Sequence, residues 1–154
     1  MSDYDTDILT WSERQAELLR RRAAGEPVNE TDLDWPNIAE EIESLGKTVA
    51  RELASRVSTI LIHLIKLEAS PAAEPRIGWR KTIREQRDEI DLLLEDAPSL
   101  RLTIAAVIGR RVDKAKEQVR RNLADYGEQP RIDIDSLTFT EDQVLGDWLP
   151  EDPP

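Results

Sequence analysis

The chain contains no cysteine. A disulfide framework, thiolate chemistry and thiolate metal sites are therefore excluded. No run of about 18 apolar residues occurs, so no segment is predicted to span a membrane. Histidine occurs once, at position 63, and a ferritin-like di-metal centre needs two Glu-x-x-His pairs on separate helices. Gly-rich phosphate loops, nucleophile elbows and paired zinc ligands are missing, as are internal repeats and low-complexity tracts. The segment from Met1 to Asp7 is acidic and lacks a signal-peptide hydrophobic region. The expectation is a cytoplasmic protein with no cofactor and no metal.

What is present is charge and amphipathic pattern. The 154 residues suffice for one domain with a real core. Apolar content of 39% and charged content of 34% fit slender helices with solvated outer faces. The net charge of −11 is concentrated at the ends: residues 1–10 carry −3 and residues 128–154 carry −7. The body between them is near neutral, so no global nucleic-acid footprint exists. The one basic group, Arg110, Arg111, Lys114, Lys116, Arg120 and Arg121, is diluted by Asp113 and Glu117 and reads as a solvated helix face.

The strongest pattern runs from Trp35 to Leu67. Trp35, Ile38, Ile42, Leu45, Val49, Leu53, Val57, Ile60, Leu64 and Leu67 recur at steps of three or four, which is one face of a single helix. Such a rod is roughly 50 Å long at about 1.5 Å per residue, and its stripe needs cover. The predicted fold is all-α: a four-helix bundle with one very long central helix (about 35–68) and a short C-terminal helix. A first helix is expected over about Asp7 to Ala24, with Ile8, Trp11, Leu18 and Leu19 inward and Gly25 and Pro27 ending it. Asp34 is the expected N-cap of the long helix. A third helix is expected over Arg76 to Glu95, and a fourth from Pro98 or Ser99 to Asp125, closed by Gly127. Residues 128–136 read as extended. Thr140 to Gln143 has capping-box spacing, starting a short helix that ends near Trp148 and Leu149. One domain over 1–154 is expected, with 1–6 and 150–154 frayed. The first helix and the C-terminal element are candidates to cover Trp35 to Leu45, and a second copy is the intermolecular one, most simply as an antiparallel homodimer.

Few residues carry chemistry. His63 flanks the core stripe, where a half-buried, hydrogen-bonded structural role is the plain reading. Arg56 lies two turns earlier on the same face, and the pair resembles the active-site spacing of helical ribonucleases of the HEPN group. That resemblance implies a metal-independent ribonuclease, with His63 as acid or base on a ribose hydroxyl and Arg56 on the phosphorane. Val57 stands where that group favours a polar residue. Glu40, Glu41 and Glu43 sit near a helix start, where acids offset the dipole. Arg80, Arg84 and Arg87 line the third helix beside Trp79. Pairing with glutamates of the long helix is their expected role, and binding of a small anionic ligand is the functional alternative.

An ordered set of pieces spans nearly the whole chain. It comprises Asp5 and Asp7 through Trp11, Gln15-Ala16, Leu18-Leu19-Arg20, and Ile38 to Gly46. It continues with His63-Leu64-Ile65-Lys66, Trp79-Arg80, Thr82-Ile83, Glu85, Arg87, Pro98-Ser99-Leu100 and Phe139-Thr140 to Leu149-Pro150. In these the chain resembles the bacterial family called domain of unknown function twenty-nine. It departs from that family after His-Leu-x-Lys, where Leu67-Glu68 replaces an aromatic. The resemblance implies a small all-helical fold and no established activity. It marks Glu40, Glu41, His63, Lys66, Trp79 and Arg80 as a polar constellation, some of which are expected to meet between the long helix and the next. With no catalytic signature, the leading expectation is a protein–protein interaction or self-associating module, with a homodimer or an unidentified protein as partner, and nucleic acid and membrane not expected.

Overall fold

A computed structural model describes residues 3–154; the expected fraying of residues 1 and 2 lies outside these. The described residues form six α-helices and no strand: α1 (Asp3–Thr6), α2 (Ile8–Ala23), α3 (Trp35–Ala69), α4 (Arg76–Asp96), α5 (Ile104–Asp125) and α6 (Glu141–Leu145). The all-α class with one long helix and a short C-terminal one is thus observed. The chain divides into two compact units, one running to Thr48 and the other covering Val49–Pro154.

In the first unit, the helix expected from about Asp7 to Ala24 is α2, and the additional turn α1 precedes it. Asp7 accepts from the Thr10 amide at 3.1 Å and the Thr10 hydroxyl at 2.8 Å, so it caps α2 and separates it from α1. The bond load of that cap holds the Asp7 carboxyl below its ordinary range. Trp11 is buried, donates its Nε1–H to Asp34 Oδ2 at 2.9 Å, and meets Tyr4 edge-on at 4.9 Å between centroids. Asp34 also accepts from Asn37 Nδ2 at 2.8 Å, which ties the start of α3 to α2. Gln15, absent from the expected inner face, is buried: its amide donates to the Asp32 carbonyl and accepts from the Asp34 amide. Ile8, expected inside, is 50% exposed, while Trp11, Leu18 and Leu19 lie on the expected inner side. Gly25, at φ +80°, ends α2 in a Schellman turn: its amide bonds the Arg22 carbonyl and the Glu26 amide bonds that of Arg21.

The expected cover for Trp35 to Leu45 is incomplete. Ile38 is half-buried, but Ile42 is 68% and Leu45 69% exposed. The same stripe further along α3 is enclosed.

In the second unit, Leu53, Val57, Ile60, Leu61, Leu64, Ile65 and Leu67 of α3 are buried together with Ile83, Ile90 and Leu94 of α4. Ile104, Val107, Ile108, Val119 and Leu123 of α5 complete that core. Residues 98–103, expected as the first turns of the fourth helix, form a 3₁₀ helix instead. The run 128–136, expected as extended, holds a 3₁₀ turn at Ile134–Ser136 whose Asp133 carboxylate accepts from the Asp135 amide. The capping box forms as expected: Gln143 N–H donates to Thr140 Oγ1 at 3.1 Å and Thr140 N–H to Gln143 Oε1 at 2.9 Å. α6 stops at Leu145, short of Trp148. The chain turns at Gly146, where a Cβ would stand 2.6 Å from the Asp142 carbonyl oxygen.

Candidate functional site

The last turn of α3 leaves carbonyls without intrahelical partners, and downstream residues take them up. Arg76 donates to the Leu67 carbonyl at 2.6 Å and that of Ser70 at 3.4 Å. Arg131 donates its Nη2 to the Glu68 carbonyl at 3.0 Å and its amide to that of Ala69 at 2.8 Å. The Ser70 amide closes the Lys66 carbonyl at 2.9 Å. The loop after α3 is fixed by the buried Ser70 hydroxyl, which accepts from the Ala72 amide at 3.1 Å and donates to Glu128 Oε2 at 3.3 Å. Glu128 reaches it because Gly127, at φ +66°, ends α5 in a second Schellman turn.

These devices enclose a cleft of about 430 Å³ between Lys66, the loop Ala72 to Pro75, Trp79, Tyr126 and Glu128. Its size falls in the range of small-molecule sites. The Lys66 ammonium lies 5.8 Å from the centroid of the Trp79 ring, within cation–π range. Burial pulls its pKa below the usual lysine range. Tyr126 is 81% exposed at the rim.

His63 stands one turn before Lys66. Its Nδ1 donates to the Thr59 carbonyl at 2.7 Å, which fixes the Nδ1–H tautomer. Burial foremost, and Lys66 in addition, depress its pKa, with the Thr59 carbonyl opposing. The unfolded chain therefore takes up this proton near pH 6.5, before the folded chain does. Stability attributable to His63 is full above that pH and falls as pH drops through it. Urea midpoints measured from pH 7.5 to 5.5 are expected to decline less in His63→Gln than in the parent; parallel declines would contradict this.

Of the other residues singled out by sequence, Lys66 and Trp79 meet as expected between α3 and α4. Arg80 does not pair with the long helix. It donates to Asp152 Oδ1 at 2.5 Å, which Arg76 also contacts at 2.6 Å, and these bonds hold the Asp152 carboxyl below its ordinary range. Arg84 is exposed and lies beside Asp88, Asp91 and Asp147 in a shallow cleft of its own. Arg87 is buried and donates to the carbonyls of Gln143, Val144 and Trp148 at 2.7–2.9 Å, in place of the expected glutamate partners. Burial foremost lowers its pKa, with Asp147 opposing. Arg56 does bond glutamate: Glu52 at 2.9 Å and Glu89 at 3.6 Å, besides Gln86 at 3.2 Å. Its guanidinium is thus engaged, and neither it nor His63 lines any of the five clefts described. In the first unit, Glu41 accepts from the Tyr4 hydroxyl at 2.6 Å, which pushes the phenol up to about 12, and Glu40 is exposed. Among the α5 cations, Lys116 is buried on the Asp135 carbonyl, Arg120 pairs with Asp135, and Arg121 with Glu117.

Sequence reasoning missed Tyr126, Glu128 and Ser70. The available signal was Gly127: a glycine at a helix end reverses the chain and brings its two neighbours onto one rim. Among the described residues, no group of three or more His, Cys, Asp or Glu could hold a metal ion, and no helix is long and apolar enough to cross a membrane.

A family model matches residues 4–149, which include all the residues that line the cleft beside Lys66. The chain belongs to the family described as Domain of unknown function DUF29. No curated protein and no solved structure matches it. Membership assigns no activity to the cleft.

Proposed function

We propose that the protein works by association, with a second copy of itself as the first partner, through the exposed first half of α3. The observation that carries this reading is the solvent exposure of Trp35, Ile42 and Leu45 on a stripe that is enclosed from Leu53 onward. From Trp35 the stripe steps 3, 4, 3, 4 through Ile38, Ile42 and Leu45 to Val49, which is the heptad spacing of a two-helix seam. Ile42 and Val49 fall at a and Leu45 at d, a combination that favours two strands. The next seam positions are Glu52 and Arg56, so the pattern ends where the core of the second unit takes over the helix. Ala39 and Gly46 flank the seam and let a second backbone approach.

Replacing both Ile42 and Leu45 by Glu is expected to weaken dimerisation at least about 100-fold, since each buried side chain of this size is worth roughly 1.5–3 kcal/mol. Sedimentation equilibrium reads the change, and far-UV circular dichroism should be unaltered because neither residue is buried in the single chain. The net charge of −11 makes two copies repel, so added salt should tighten the wild-type dimer. A wild-type chain that stays monomeric at high concentration and in high salt defeats the proposal.

A further inference from the structure

The cleft beside Lys66 carries a separate inference, independent of association. Lys66 is half-buried and, among the described residues, no carboxylate lies within ion-pairing distance of it; its contact is the Trp79 ring. Removing part of an ammonium's water without supplying a counter-charge is costly, and an anionic group entering the cleft would offset that cost. The rest of the rim has the opposite sign. Glu74 and Glu128 both border the cleft, and Glu128 is held by the Ser70 hydroxyl on Oε2, with no hydrogen-bond donor on Oε1 among the described residues. A purely anionic ligand meets two carboxylates, and a purely cationic one meets Lys66. Between the charges lie Trp79, the exposed Tyr126 and the apolar walls of Ala72, Ala73 and Pro75.

We propose that this cleft binds a small zwitterion with an apolar or aromatic side chain, of which an α-amino acid is the simplest case. The ligand carboxylate pairs with Lys66. Its ammonium pairs with Glu128, which Ser70 orients, and its side chain lies against Trp79 and Tyr126. The volume of about 430 Å³ suits one such molecule rather than a polymer segment.

Isothermal titration calorimetry of the full chain with three probes tests this. L-phenylalanine is expected to bind, with a Kd on the order of 10–1000 μM. N-acetyl-L-phenylalanine, which keeps only the carboxylate, and L-phenylalaninamide, which keeps only the ammonium, should each bind at least tenfold more weakly. Lys66→Met and Glu128→Gln should each weaken L-phenylalanine at least tenfold. Because Lys66 and Glu128 also touch the protein, Tyr126→Ala, on an exposed side chain, serves as a variant certain to leave the core intact; it should weaken the same probe severalfold. No heat with 10 mM L-phenylalanine, equal binding of either blocked probe, or unchanged binding by folded Lys66→Met overturns the proposal.

Discussion

Replacing Arg87 by alanine should lower the unfolding free energy by about 3 kcal/mol, the scale of losing charge-assisted hydrogen bonds to buried groups. The side chain is buried and gives three N–H groups to the carbonyls of Gln143, Val144 and Trp148. The alanine variant loses those bonds and leaves acceptors facing a void. Three bonds do not add up in full, since the variant also avoids desolvating a guanidinium. Arg84→Ala is the control: one turn earlier on α4, it is exposed, and its removal should stay within about 0.5 kcal/mol. Urea denaturation followed by tryptophan fluorescence measures both. Trp148 belongs to the region Arg87 holds, so its emission should shift toward that of exposed indole in Arg87→Ala alone. Equal effects from the two substitutions would falsify the assignment of Arg87 as the clasp for the C-terminal segment.

Leu64→Ala should be of similar size, about 3 kcal/mol, within the range for deleting a buried leucine and leaving a partly collapsed cavity. Leu64 is fully enclosed among α3, α4 and α5. Leu45→Ala removes the same atoms from the same helix, yet Leu45 is 69% exposed. At a concentration where the chain is monomeric it should cost no more than about 0.5 kcal/mol, the difference in helix propensity favouring alanine if anything. The two substitutions therefore separate the stripe into a folded core and a free face, by guanidinium denaturation alone. Comparable losses would mean that the first half of α3 is enclosed in solution.

That contrast marks how far the sequence reaches. Periodicity placed the long helix within two residues of its observed end, because the spacing of apolar side chains is a property of the helix itself. It could not separate Ile42 from Leu64, because both satisfy the same spacing and their difference lies in which neighbours fold against them. Asp7 shows a related gap. Its capping bond to Thr10 was available from residue types, but the preceding turn at Asp3–Thr6 reads as acidic tail until the cap divides it. At the cleft, Lys66 and Trp79 were marked by family resemblance alone. Tyr126 and Glu128 were not, since their meeting with Lys66 depends on α5 ending beside α3. Three of the four arginines of α4 looked alike in sequence and have three different fates: Arg80 on Asp152, Arg84 in solvent, Arg87 on main-chain oxygens. Main-chain acceptors belong to every residue, so no letter announces them.

A helix ordinarily begins to unravel at its final turn, where carbonyls look outward to water. The end of α3 is denied that freedom: Arg76 reaches it from the start of α4 and Arg131 from beyond α5. Peeling back one turn there requires two distant stretches of chain to let go together. Lys66 and the cleft beside it consequently rest on a foundation that opens only when the surrounding unit does.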